Sequence, residues 1–290
     1  MKNDIATSET DDVATTGHVW DEDLEEFNNP LPRWWLWTFY ATIIWGVGYT
    51  IAYPAWPMIS SSTAGLIGYS TRNEVVEDIA AFEAQNEPIN LRLVETELVA
   101  IADDAELYTY AVSSGESVYQ TWCAQCHGSG AAGAVGYPNL LDDDWLWGGD
   151  IEAIHHTVSH GIRNEVSDEA HYSAMPAFGE LLTEEEISQV ANFVQAMAGE
   201  TPADATQAEA GKVIYEENCS SCHGEQGEGD IFQGAPNLAD SIWLYGGDYA
   251  SLISTVTYSR YGVMPPWNDR LSEPEIRAVS LYVHQLGGGE

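Results

Sequence analysis

From residue 34 to residue 53 the chain reads WWLWTFYATIIWGVGYTIAY, twenty positions without a charged side chain, whereas elsewhere apolar residues come in shorter runs at helical spacing. At a rise of about 1.5 Å per residue this length covers about 30 Å, the thickness of a bilayer's hydrocarbon core, so the pattern predicts one membrane-spanning helix. The flanks agree. Trp34, Trp35 and Trp37 crowd one end and Tyr53 and Trp56 the other, as in an aromatic belt, Arg33 can reach lipid headgroups, and Pro54 and Pro57 stop the helix. A helix buried in a soluble core rarely stays uncharged on every side over such a length. A cleaved signal peptide fits worse, because 33 largely polar residues precede the run, which is longer than the ~7–15 residues of a signal core.

Beyond residue 108 one helical pattern occurs twice. Pro138-Asn139-Leu140 returns as Pro236-Asn237-Leu238, and WLWGGD at 145–150 returns as WLYGGD at 243–248, an offset of 98 residues. Met175-Pro176 and Met264-Pro265 each lead into a predicted helix. Thr183 with Glu186 and Ser272 with Glu275 have capping-box spacing, Pro274 falls in a first turn, and Gly199 and Gly287 mark the stops. The apolar faces are Ile187, Val190, Ala191 and Val194 in one helix and Ile276, Val279, Val283 and Leu286 in the other. Shorter helices are predicted at 114–122 and 208–218, and 54–108 reads as a linker with two short amphipathic helices separated by Pro88. The expected organisation is an acidic segment 1–33, the span 34–53, that linker, and two small all-α domains at 109–200 and 201–290, with the break at 199–203.

Charge narrows the function. Nine Lys and Arg stand against 46 Asp and Glu, a net charge of −37, which excludes a general nucleic-acid binder, since such proteins neutralise phosphates with basic side chains. At 44% hydrophobic residues the chain can form ordered cores, and only its extreme N-terminus reads as disordered. The acids are spread along the whole length. They read as a solvated surface suited to salty surroundings rather than as a field steering a basic electron donor.

All four cysteines fall in two pentapeptides, Cys123-Ala-Gln-Cys126-His127 and Cys219-Ser-Ser-Cys222-His223. Two thiols at this spacing can add to the two vinyl groups of one haem, and the histidine that follows can ligate the iron. A redox dithiol would call for a βαβ setting that the helical pattern lacks. Zinc is disfavoured too: His156 and His160 are four apart, but the stretch from Cys126 to His156 is about twice a finger's spacing, and the second repeat has no such pair. A haem that only shuttles electrons needs a sixth ligand, and Met175 and Met264, at equivalent repeat positions, are the candidates. Met197 lacks that symmetry. His155, His156, His160 and His171 are competing ligands for the first iron, while His284 reads as structural. Trp145 and Trp243 read as packing residues that mark the repeat.

Orientation follows from compartment, because the few basic residues give the positive-inside rule little to count. Covalent haem attachment in bacteria takes place outside the inner membrane, which puts the C-terminal part in the periplasm and the N-terminus in the cytoplasm.

Over nearly its full length the sequence resembles the dihaem subunit III (CcoP/FixP type) of cbb3-type cytochrome c oxidases. The resemblance rests on the lead and anchor GHVWDEDLEEFNNPLPRWWLWTFYATIIWGVGYTIAYPAWP, with NNPLPRWW its most specific piece, and on two CxxCH segments that each end in a Met-Pro loop and a helix. It implies an all-α chain with one N-terminal transmembrane helix and two tandem class I cytochrome c domains. It implies two covalent haems c on Cys123, Cys126, Cys219 and Cys222, with iron ligated by His127 with Met175 and by His223 with Met264. It further implies electron transfer from a soluble or membrane-bound cytochrome c donor towards the haem-copper catalytic subunit, beside a monohaem cytochrome c subunit. The alternatives are a free-standing dihaem carrier, a dihaem peroxidase with an open coordination position, and a haem-based gas sensor.

Overall fold

The structure, a computed structural model, describes residues 14–289, so the reading of the extreme N-terminus as disordered lies outside the described residues. The chain divides into two compact units, one ending at Glu83 and one beginning at Ala84.

The first unit departs from the all-α expectation in one place. Strands β1 (Thr15–Trp20) and β2 (Leu24–Phe27) form an antiparallel hairpin, with Trp20 opposite Leu24 and Val19 opposite Glu25. Both strands are exposed throughout, so no apolar and polar alternation announces them. Helix α1 (Arg33–Ala52) begins after Pro32 and ends where Tyr53 turns extended ahead of Pro54. None of its residues is buried, and Trp37 and Ile44 are each 73% exposed. By mean hydropathy, no helix among the described residues is long and apolar enough to cross a membrane. Six of the twenty residues of α1 are Trp or Tyr, which transfer indices score as mildly polar although they favour the membrane interface.

The linker differs from its expected pair of short helices. Helix α2 (Thr71–Glu95) runs through Pro88 without a break. Proline removes one amide donor and leaves one carbonyl of the preceding turn unpaired, a cost that water offsets on an exposed helix. A 3-10 turn, Leu98–Asp103, follows.

In the second unit the repeats run α3 (Ala105–Val118), α4 (Ala124–His127), α5 (Ile151–His160) and α6 (Glu184–Met197), then α7 (Ala205–Asn218), α8 (Ser220–His223), α9 (Tyr249–Tyr258) and α10 (Glu273–His284). The predicted capping boxes are present: Thr183 N–H donates to Glu186 at 2.8 Å and Ser272 N–H to Glu275 at 2.7 Å. Asp150 and Asp248, the last residues of the two WL(W/Y)GGD motifs, cap α5 and α9.

The terminal helices are exchanged between the repeats. Helix α10, last in the second repeat, packs on α3 and α5 of the first, burying Ile276, Val279 and Val283 with Val118, Tyr119, Ile154 and Val158. Helix α6 packs on α7 and α9, burying Val190, Ala191 and Val194 with Tyr215 and Leu252. The segments expected as 109–200 and 201–290 therefore do not each close on their own last helix. Only residues 198–204 separate α6 from α7, and so short a connector favours an antiparallel helical hairpin. At each crossing a glycine admits the partner's backbone. A Cβ on Gly115 would lie 2.1 Å from the Ala278 carbonyl oxygen, and one on Gly211 would lie 2.0 Å from that of Gln189. Arg277 fastens α10 further by donating to the Leu93 carbonyl at 2.9 Å and the Thr96 carbonyl at 2.6 Å.

Candidate functional site

Each CxxCH motif sits at the end of a helix whose buried tyrosine fixes the turn that follows. Tyr119 and Tyr215, both four residues before the first cysteine and both fully buried, donate to the Gly128 and Gly224 carbonyls at 2.7 Å. Those glycines follow the histidines with φ of +80° and +81°, a conformation that costs glycine little and other residues more. Between Tyr119 and Cys123 the first helix widens into a single π turn, a distortion often found at functional sites.

The histidines are held alike. His127 Nδ1 lies 3.1 Å from the Pro138 carbonyl oxygen, and His223 Nδ1 lies 3.0 Å from that of Pro236. A carbonyl only accepts, so in each ring Nδ1 carries the proton and Nε2 keeps its lone pair for a metal. Burial holds both imidazoles below the ordinary histidine range, outweighing the carbonyl's opposite pull, so they are neutral at pH 7. The Pro-Asn-Leu repeat, read from sequence only as a marker, supplies these carbonyls.

The first thiol of each pair is held protonated. Cys123 and Cys219 are pushed up to about 11 by burial, with the second cysteine of each pair adding to the effect. A redox dithiol needs the opposite shift, since the thiolate is the nucleophile.

Beside the second motif lies a cavity of about 370 Å³, lined by Cys219, Cys222, His223, Met175 and Trp243. It reaches Pro138 and Asp144 of the first repeat. The Trp243 indole N–H is buried without a hydrogen-bond partner, whereas that of Trp145 donates to the Gly288 carbonyl. An apolar cleft with two thiols, a neutral imidazole, a thioether and one unanswered donor fits a haem with an acidic propionate edge.

The methionines follow the exchange of helices. Met264 packs against the core that holds Cys123, and Met175 lines the cavity of Cys219, Cys222 and His223. The structure thus sets Met264 on the core against which Cys123 packs and Met175 in the cavity of His223, the reverse of the pairing within each repeat. Backbone pairing fixes it: Met264 and Ile162 exchange hydrogen bonds, and Ser259 Oγ donates to the Met175 carbonyl. The competing histidines make other contacts. His155 Nε2 is 3.2 Å from Glu273, while His156, His160 and His171 cluster with Trp147 and Glu169.

Two family profiles match the chain. Residues 12–60 match the N-terminal domain of cytochrome oxidase-cbb3, FixP, and residues 111–194 and 206–283 match cytochrome c oxidase, cbb3-type, subunit III. The chain is 60% identical over 278 residues to a cbb3-type cytochrome c oxidase subunit CcoP of Cereibacter sphaeroides, covering 95% of each. It is 54% identical to a subunit of that name from Rhodobacter capsulatus, with 96% of this chain and 97% of the relative covered. Identity to the subunit FixP of Azorhizobium caulinodans is 48%, over 96% of this chain and 94% of the relative.

Proposed function

The chain belongs to the family of subunit III of cbb3-type cytochrome c oxidases, and on that premise we propose that it is the membrane-anchored dihaem cytochrome through which electrons reach the oxidase. Its partners are the haem-copper catalytic subunit, a monohaem cytochrome c subunit and a soluble or membrane-bound cytochrome c donor. Bound haem c supplies a one-electron iron couple, and the reduction of oxygen belongs to the catalytic subunit.

The residues do the holding and tuning. Cys123 with Cys126, and Cys219 with Cys222, each fasten one haem through thioethers. His127 and His223 would offer Nε2 to iron, and the Pro138 and Pro236 carbonyls, by accepting from Nδ1–H, fix each ring's orientation and tautomer. Met264 would serve the haem of the first motif and Met175 that of the second, and sulfur ligation would raise the potential relative to two imidazoles. Because each methionine comes from the other repeat, the two centres share one folded body, and 109–200 and 201–290 act as interlocked domains.

Residues 34–53 are the anchor, with 1–33 in the cytoplasm and 54–290 in the periplasm. A twenty-residue helix with no charge after Arg33 and no buried residue supports this, as does the need to attach haem outside the cytosol. The observation that carries the reading is the histidine held by a proline carbonyl directly after a cysteine pair, found twice.

Purification in mild detergent tests the assignment. The chain is expected to bring down the haem-copper subunit and to be reduced by cytochrome c. A chain that purifies alone with a five-coordinate ferric spectrum and peroxide turnover would contradict it.

A further inference from the structure

We propose that His156, His160 and Glu169 form a binding site for one divalent transition-metal cation of the zinc class, built on the first repeat from residues that the haem centres do not use. His156 and His160 stand four apart on α5, so their rings share a face, with centroids 4.8 Å apart. One ligating atom from each of the three residues lies within 4.8 Å of the others. His160 is already oriented: its Nδ1 is 3.0 Å from Ser167 Oγ, and its Nε2 faces Glu169 at 3.4 Å. Ser167 is itself fixed, its N–H donating to Asn164 Oδ1 at 3.0 Å, so the ring has the outer support that metal-bound histidines use.

His156 supplies the second observation. Its Nδ1 is buried with no hydrogen-bond partner among the described residues, a cost that a metal bond would remove. The third ring of the cluster, His171, is engaged elsewhere, stacked on Trp147 and 3.2 Å from Thr157 Oγ1. Two imidazoles and one carboxylate suit zinc and its neighbours, whereas calcium and magnesium prefer all-oxygen sites. The bound cation would fasten α5 to the 161–171 loop, whose Ile162 forms a β-bridge with Met264.

The test uses the full chain in detergent, stripped with chelator and titrated with zinc in excess magnesium to occupy ordinary carboxylates. One zinc per chain beyond the haem iron is expected, with two imidazoles in its X-ray absorption spectrum and a zinc-dependent rise in melting temperature. His160→Gln and the exposed-site variant Glu169→Gln should each weaken binding about tenfold or more, and His155→Gln should not. Equal affinity in wild type, His160→Gln and Glu169→Gln, or bound zinc without imidazole scattering, would overturn the proposal.

Discussion

Ile162 and Met264 exchange a pair of backbone hydrogen bonds, each 3.0 Å, which ties the methionine of the second repeat to the loop that follows α5 in the first. The pairing places Met264 against the core that holds Cys123, whereas Met175 lines the cavity of Cys219 and His223.

Met264→Leu should therefore abolish the methionine-to-iron charge-transfer band of the haem bound at Cys123 and Cys126, and lower the potential of that haem. Both thioethers should survive. The measurement is a redox titration in a background where Cys219→Ala has removed or weakened the second haem. If Met264→Leu leaves the spectrum of this single-haem protein unchanged, the exchanged pairing is wrong.

Gly211→Ala should destabilise the fold by about 1–3 kcal/mol, because the added methyl would meet the Gln189 carbonyl and overpack the crossing of α6 and α7. At an unconstrained helical position the same change would stabilise by about 0.5–1 kcal/mol. The sign of the shift in a denaturant midpoint thus decides whether α6 lies on α7.

Asp144 carries a pH signature. Burial, then Asp240, Asp142 and Asp143, push its carboxyl up to about 6 from the ordinary 3.8. The folded state holds the proton more tightly than the unfolded chain, so this group lowers stability as pH rises from about 4 to above 6. Asp144→Asn should match wild type near pH 4 and exceed it at pH 8, by about 1 kcal/mol once solvent screening of a half-buried group is allowed for. Melting curves at the two pH values check this, and an equal difference at both would refute the cause given.

Several layers of this structure are legible in sequence because each has a local cause. The capping boxes at Thr183 and Ser272 and the buried faces of α6 and α10 follow from spacing within one helix. The pairing of Met175 and Met264 does not. Both terminal helices present the same apolar period, so either could close either repeat, and the choice rests on the seven-residue connector between α6 and α7 and on glycines at 115 and 211. The role of Pro138 and Pro236 was visible only as repetition, since a carbonyl leaves no mark in side-chain chemistry. The continuity of α2 through Pro88 is not legible either, because proline is a strong breaker on average, although an exposed helix can carry one.

The central claim is covalent haem at two sites in one chain. Intact-mass spectrometry of the purified chain, matured in a host competent for haem attachment and paired with a pyridine haemochrome assay, counts porphyrins directly. The account predicts the mass of the polypeptide plus two haems, falling to one firmly bound haem in Cys219→Ala. A mass equal to the bare polypeptide, or a single haem in the wild type, would contradict it.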